Sequence, residues 1–257
     1  MGEYREVFQR KEIKYLLDEE QYREVKAFLD GIARTDRYGI SRINNIYFDT
    51  KDYLLVRTSL EKPLYKEKLR LRTYGETEDG TNAFIEIKKK YKGIVYKRRI
   101  SGSYEKLQGH MEGKNPDLGS SQIAKEILSF EERYKDLRPA MSICYERMAM
   151  AGILDPDFRV TFDRNIEWNA ECRDLRQQKP GKPILKPGQY LMEIKVANAL
   201  PPELARKLNE QKVFPASFSK YGEGYKDMMR SSCGVRSVKL QDTEGIYGRT
   251  KGEVAYV

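Results

Sequence analysis

Cationic and aliphatic side chains alternate along several short segments, and this alternation constrains the fold more than any other feature. In residues 66–74, Leu69 and Leu71 separate cations that stand at every second position: Lys66, Lys68, Arg70 and Arg72. Successive side chains of a β-strand point to opposite faces. The segment therefore predicts a strand with one cationic face and one apolar face.

Other segments fit the same description, and helical patterns lie between them. Strands are predicted over residues 43–48, 66–74, 83–89, 94–100, 140–148, 158–163 and 191–196. Helices are predicted after Asp18, which has a capping-box partner at Gln21, from about Ser121, after Pro201-Pro202, and over residues 221–229. This order predicts an α+β fold with a mostly antiparallel sheet and helices packed on it.

The charged strand faces carry few acidic residues. A single strand of this kind is typical of a sheet with one solvated face. Like charges two residues apart lie roughly 7 Å from each other, however, and repel by about 2 kcal/mol at an effective dielectric near 20. Glu86 and Glu193 are the specific acidic neighbours of these cations. We therefore expect a phosphate clamp with a metal site on a face directed away from the helices, lining a lumen if the sheet closes.

The composition agrees with an anionic partner and excludes several classes of protein. The chain has 48 Lys and Arg against 39 Asp and Glu, a net charge of +9. We expect no transmembrane segment and no signal peptide, because no long apolar run occurs. Three separated cysteines and the single His110 give no support to a disulfide framework, a thiolate metal site or histidine-dependent nucleophilic catalysis. A cytoplasmic location is predicted.

Nine short motifs, in this order, resemble the catalytic domain of the vacuolar transporter chaperone (VTC) family. These are polyphosphate polymerases of the CYTH-like triphosphate tunnel metalloenzymes. The motifs are RKEIKY at 10–15, NIYFDT at 45–50, KLRLR at 68–72, FIEIK at 84–88, YKRR at 96–99, YER at 145–147, RVTFD at 159–163, EIK at 193–195 and SFSKY at 217–221. The resemblance implies an eight-stranded antiparallel β-barrel tunnel with helices outside. It implies a tunnel domain over residues 1–230, and we expect residues 231–257 to form a loosely docked or disordered tail.

The resemblance also implies an activity and a set of site residues. The activity is transfer of the γ-phosphoryl group of ATP onto a growing inorganic polyphosphate chain, with Mn²⁺ or Mg²⁺ as cofactor. The implied catalytic residues are Lys14, Arg70, Arg72, Lys88, Arg147 and Arg159. The implied substrate-binding residues are Lys97, Tyr145, Ser219 and Lys220, and the implied metal ligand is Glu193. The expected partners are ATP and inorganic polyphosphate rather than nucleic acid, and the oligomeric state is left open.

One departure from the superfamily pattern keeps alternatives open. The tunnel superfamily begins with Glu-x-Glu-x-Lys, whereas this chain has Arg10, Glu12 and Lys14, so that one carboxylate is missing. A phosphohydrolase acting on triphosphate or polyphosphate, with Glu12 or Glu86 as the base, is the first alternative. A non-catalytic polyanion-binding module is the second. If these glutamates have a structural role instead, Glu12 is expected to form a salt bridge with a neighbouring cation, and Glu86 is expected to pair with Lys68 or Lys88.

Overall fold

The computed structural model describes residues 11–92, 94–114, 117–197 and 199–237. In this part of the chain the strands are β1 (Lys11–Leu17), β2 (Ala33–Asp49), β3 (Tyr65–Tyr74), β4 (Asn82–Tyr91), β5 (Ile94–Ser103), β6 (Arg138–Gly152), β7 (Arg159–Asn169), β8 (Lys182–Pro183) and β9 (Tyr190–Val196). The helices are α1 (Glu19–Leu29), α2 (Leu54–Leu60), α3 (Tyr104–Met111), α4 (Gln122–Arg133), α5 (Pro202–Glu210) and α6 (Lys220–Ser237).

All the strands belong to one antiparallel sheet. Eight of them follow the order β1-β9-β7-β6-β2-β3-β4-β5, and the two-residue β8 pairs with β7 beside this path. The predicted α+β fold, with eight antiparallel strands and helices packed against them, is confirmed. Long-range pairing such as β1 with β9 explains why strand order could not be derived from local periodicity.

The two ends of the strand order are β1 and β5, and no backbone ladder joins them among the described residues. An ion pair spans from β1 to β4 instead, with Lys88 Nζ 3.3 Å from Glu12 Oε2. The residues before α6 cover part of the remaining edge of β1, where the amide of Ala216 donates to the carbonyl of Lys14 at 2.7 Å. Side chains and this connecting segment therefore contribute to closure.

The helix starts follow the local sequence signals. Asp18 and Gln21 form a reciprocal capping box at the start of α1, and Ser121 accepts from the amide of Ala124 at the start of α4. Helix α5 begins at Pro202, one residue earlier than predicted, because proline is accepted at the first helical position. Helix α6 extends through Ser237, beyond the predicted 221–229 and beyond the predicted domain boundary at residue 230. The rest of the predicted tail, residues 238–257, lies outside the described residues, as does Arg10.

Two apolar clusters hold helices on one side of the sheet. The first joins α1 and α5 to β1, β7 and β9 through residues that include Leu29, Phe162 and Leu204. The second joins α3 and α4 to β2, β3 and β4 through residues that include Leu71 and Ile127. The leucine and isoleucine faces identified in the sequence thus provide the surface on which these helices dock.

A third apolar cluster occupies the same face as the charged residues. Ile143 and Tyr145 share a strand face with Arg147 on β6, and both belong to this cluster. The first turn of α6 packs here, with the ring of Tyr221 stacked on Tyr47 at 4.7 Å. The expectation that the charged faces lie away from all helices was therefore wrong for α6.

Candidate functional site

Glu86 lies at the centre of β4, only 1% exposed, and is surrounded by cations. Its carboxylate is 2.7 Å from Arg70 Nη2, 3.7 Å from Arg72 Nε and 2.5 Å from Lys97 Nζ. We call these four residues the Glu86 cluster. The expected partners Lys68 and Lys88 were wrong, because the register places Arg70 directly opposite Glu86.

The charges of the Glu86 cluster are strongly coupled. Burial alone would raise the pKa of Glu86, but Arg70, Arg72 and Lys97 outweigh burial and lower it to about 2. Burial lowers the pKa of Lys97 to about 8 in spite of the attraction of Glu86. Glu86 is therefore an ionised counterion for the cations that surround it.

A second group of charges forms around Glu193 on β9. Glu193 Oε1 is 3.0 Å from Lys220 Nζ and 3.3 Å from Lys14 Nζ, while Oε2 is 3.8 Å from Arg147 Nη2. Asp163 on β7 pairs with Arg147 at 2.6 Å and with Lys220 at 2.6 Å. We call Lys14, Arg147, Asp163, Glu193 and Lys220 the Glu193 cluster.

Burial and charge act against each other throughout the Glu193 cluster. Burial opposes ionisation of Glu193, yet Lys220, Lys14 and Arg147 hold the pKa of this carboxyl well below its usual range. Burial likewise opposes the charge of Lys220, but Asp163 and Glu193 raise the pKa of its ammonium group. Glu193 and Lys220 are therefore both charged at neutral pH.

Tyr145 joins the two clusters. Its hydroxyl accepts a hydrogen bond from Arg72 Nη2 at 3.2 Å, on the side of the Glu86 cluster. Its ring faces the ammonium of Lys220 at 4.7 Å and the guanidinium of Arg147 at 5.2 Å. These are cation–π distances. Predicted site residues of β3, β6 and α6 thus meet at one side chain.

Ser219 and Lys88 connect further predicted residues to the clusters. Lys68 Nζ donates to Ser219 Oγ at 2.9 Å, and the same oxygen accepts from the amide of Gly222 in the first turn of α6. Lys88 pairs with Glu12, which also lies 3.5 Å from Lys14 Nζ. Glu12 is thus held in ion pairs, as its structural interpretation predicted.

Arg159 is the one predicted site residue that stands apart from these contacts. It is exposed at the start of β7 and forms no ion pair with another described residue. Its register neighbour on β9 is Lys195, two residues from Glu193 on the same strand face. Arg159 therefore lies on the charged face, beyond the ion pairs of the Glu193 cluster.

Tyr47 belongs to the site but was not predicted from the sequence. Its hydroxyl accepts from Arg70 Nη1 at 3.0 Å. Burial would raise the pKa of this hydroxyl, but Arg70, Lys68 and Arg72 lower it to about 8. The signal in the sequence was its position two residues after Asn45, which places both side chains on one face of β2. In the structure Asn45 accepts a hydrogen bond from Arg72 at 2.8 Å. Asp163 was recognised in a motif but was not assigned to the site.

The described residues of the site include too few carboxylates to bind a divalent ion by themselves, so phosphate oxygens of a substrate would have to complete the coordination. Among the described residues, no group of three or more His, Cys, Asp or Glu has the arrangement of a metal site. Glu12 and Glu193 both lie within 3.5 Å of Lys14 Nζ, and their negative charges repel each other. Mg²⁺ in phosphoryl-transfer sites is held by one or two carboxylates together with phosphate oxygens. The donor set fits that kind of site.

In the described part of the chain, no helix combines the length and apolarity needed to cross a membrane. The fold and the charged face together define a protein with one antiparallel sheet that gathers buried cations on one face. The family model of the VTC domain matches residues 9–229, and the chain belongs to this family. The resemblance proposed from the nine motifs is confirmed.

Comparison with solved structures gives proteins of low sequence identity. A proposed adenylate cyclase from Bacillus halodurans is 11% identical, with a TM-score of 0.49 over 82% of this chain and 95% of its own. A proposed adenylyl cyclase from Hippeastrum with a dominant triphosphatase activity is 15% identical, with a TM-score of 0.46 over 84% of this chain and 95% of its own. No curated protein matches the chain.

Proposed function

We propose that this protein is a polyphosphate polymerase that transfers the γ-phosphoryl group of ATP onto inorganic polyphosphate. One observation carries the proposal: cations from four strands and a helix converge on two clusters that Tyr145 joins. In the reaction, the bond between the γ-phosphorus and its bridging oxygen to the β-phosphate breaks. A bond forms to the terminal oxygen of the chain, and ADP leaves.

The Glu86 cluster is suited to hold the phosphates. Arg70 and Arg72 present planar guanidinium groups, which bind phosphate oxygens in pairs, and Lys97 adds a more mobile charge. Glu86 neutralises one of the three charges and keeps the side chains in place before a substrate arrives. Tyr145 accepts its bond from Arg72 through oxygen, so its proton is free to be donated to a phosphate.

The Glu193 cluster is suited to hold a divalent ion together with phosphate. Glu193 and Glu12 would be its protein ligands, and Lys14 lies between them. Bound Mn²⁺ or Mg²⁺ would neutralise charge that develops on the phosphate oxygens. Arg147 and Lys220 would hold the same phosphates, and Arg159 and Lys88 would extend the cationic surface. Ser219 would contact substrate through the hydroxyl that now accepts from Lys68.

The chemistry of the acceptor favours a polymerase over a hydrolase. The terminal phosphate of a polyphosphate chain is already ionised and needs no general base. A hydrolase must deprotonate water, and Glu12 and Glu86 were the candidate bases. The pKa of Glu86, lowered to about 2 by its three cations, makes it a weak base. Burial raises the pKa of Glu12, but Lys88 and Lys14 outweigh burial and lower the pKa below its ordinary value, which makes the carboxylate a weaker base. His110 lies elsewhere, 3.2 Å from Glu131 on α4.

An assay of the purified protein with ATP and Mn²⁺ tests the proposal. The expected products are long-chain polyphosphate and ADP, with little free phosphate. Free phosphate without polymer would establish the hydrolase, and binding without turnover would establish the polyanion-binding module. A parallel titration with single-stranded DNA tests the expectation that nucleic acid is not a partner. Repeating the assay with Mg²⁺ in place of Mn²⁺ shows which ion supports the faster reaction.

A further inference from the structure

Three lysines lie beyond the Glu86 cluster at one end of β3 and β4. Lys66 and Lys90 stand opposite each other in the register of these strands. Lys66 shares the cationic face of β3 with Lys68 and Arg70. Lys62 lies in the short connection from α2 to β3, close enough to act on the charge of Lys66. These lysines continue the row of cations outward from the clusters.

These three lysines lack the carboxylate partners that the inner cations have. Within the described residues, none of them forms an ion pair with Asp or Glu, and the Lys66 ammonium donates only to the carbonyl of Ser59, at 3.1 Å. Burial lowers the pKa of Lys66, and the charges of Lys90 and Lys62 lower it further. The group therefore has a positive potential that no ion pair with a described acid offsets.

The opposite end of the same two strands has the opposite sign. The turn that joins β3 to β4 carries Glu76, Glu78 and Asp79, all exposed; Asp79 is paired with Arg176, and Glu76 and Glu78 form no ion pair with a described residue. A polyanion that follows the charged face of β3 is repelled at this turn and attracted at the lysine end. The charge gradient along β3 thus gives a bound polyanion a preferred direction.

The spacing decides which anions reach the lysines. A strand rises roughly 3.3 Å per residue, so Lys66, four residues from Arg70, lies roughly 13 Å from it along β3. A triphosphate anchored at Arg70 is too short to reach Lys66 and Lys62 as well. A long polyphosphate chain extends over the whole row.

We propose that Lys62, Lys66 and Lys90 form an outer subsite that binds the distal phosphates of a polyphosphate chain whose end lies at the Glu86 cluster. The inference rests on the proposed function and adds to it a binding site specific for polymer. The structural alternative is that Lys66 only stabilises the last turn of α2 through the carbonyl of Ser59.

The double variant Lys66→Gln/Lys90→Gln tests the subsite. The matched control is Lys89→Gln/Arg98→Gln, which removes two charges from the opposite face of β4 and β5, where both residues lie beside Glu126. Affinities for tripolyphosphate and for long-chain polyphosphate are measured over a range of salt concentrations, and a urea unfolding curve verifies folding of each variant.

We expect the double variant to lose about tenfold in affinity for long-chain polyphosphate, and its salt slope to fall by about two. Its affinity for tripolyphosphate should stay within about twofold, as should both affinities of the control. Unchanged long-chain binding, or an equal loss for both anions, would overturn the subsite even if the wild type makes polymer. A wild type that binds no polyphosphate would overturn the proposed function as well.

Discussion

The two charged clusters of this protein differ in composition and in origin. The Glu86 cluster sets three cations around one carboxylate, which leaves two positive charges in excess. The Glu193 cluster sets three cations around two carboxylates, Glu193 and Asp163, which leaves one. The first is therefore the better candidate for anion binding, and the second has the carboxylate oxygens that the proposed divalent ion needs.

The two clusters draw on strands with different separations along the chain, and this explains why the sequence predicted one better than the other. The Glu86 cluster comes from β3, β4 and β5, which are consecutive hairpin strands. The Glu193 cluster joins the consecutive strands β6 and β7 to β1, β9 and α6, which lie far from one another in the chain. Local alternation could place Arg70 and Glu86 on one face, but it could not bring Lys220 to Asp163. If the Glu86 cluster binds phosphate and the Glu193 cluster binds the metal ion, substitutions in the two clusters should have different effects.

The largest effect is expected from Glu193→Gln, which keeps the shape of the side chain and removes its charge. We expect turnover with ATP and Mn²⁺ to fall about a thousandfold, because the proposed ion loses its principal ligand. Polyphosphate affinity should not fall, since a negative charge has been removed. Glu146→Gln, near Arg164 on the same sheet, is the control. Unchanged turnover in Glu193→Gln would refute the metal assignment.

Arg70→Ala tests the other cluster. Loss of its guanidinium, which touches both Glu86 and Tyr47, should reduce turnover about a hundredfold. Arg98→Ala, on the outward face of β5, should retain activity within about twofold. Equal losses in steady-state assays of the two variants would contradict the assignment of the strand faces.

The clusters should also differ in their effect on stability. Lys220→Met removes a buried partner of Asp163 and Glu193 and should lower the free energy of unfolding by about 2 kcal/mol. Lys97→Met removes a side chain that is 41% exposed and should cost less than about 1 kcal/mol. Urea denaturation of both variants measures the difference. A larger loss for Lys97→Met would reverse the ranking of the two clusters.

The smallest effect expected is a pH dependence of anion binding. The pKa of Lys68 is lowered to about 8, chiefly by burial, and so is that of Lys97. Both groups are charged below pH 8 and lose their protons above it. The affinity for tripolyphosphate should therefore fall by about three- to tenfold from pH 7 to pH 9, with proton uptake on binding.

Tyr47 acts in the same direction, because its pKa of about 8 means that it gains a negative charge over this range. Tyr47→Phe should make the fall in affinity shallower and leave the affinity at pH 7 within about twofold. Calorimetry in buffers of different ionisation enthalpy measures the protons taken up. An affinity that rises with pH would exclude these groups from the binding site.

Much of the candidate site was predictable because strands display their residues at a fixed period. The period of two placed Lys68, Arg70 and Arg72 together, and the cap at Asp18 set the start of α1. Helix α2 was missed because its cap lies outside the local pattern. Its first amides are bound by the side chain of Asp49, at the end of β2, and Tyr53 before it has a left-handed φ of 59°.

The partners of individual charges were the part that could not be predicted. Glu86 pairs with Arg70 rather than Lys68 because antiparallel register, not sequence distance, decides which side chains meet. Tyr47 became part of the site only through its contact with Arg70 and its stacking on Tyr221 of α6. Neither contact leaves a trace in the periodicity of β2.

The sequence by itself determined which residue types share a strand face, because the two-residue period of a strand is a local property of the backbone. It also predicted an anionic ligand, because the cations on the strand faces outnumber the acids beside them. Only the tertiary structure decided that Lys14, Arg147 and Lys220 enclose Glu193, since these residues come from β1, β6 and α6. Pairing between distant segments depends on how whole elements pack, and no local period encodes it.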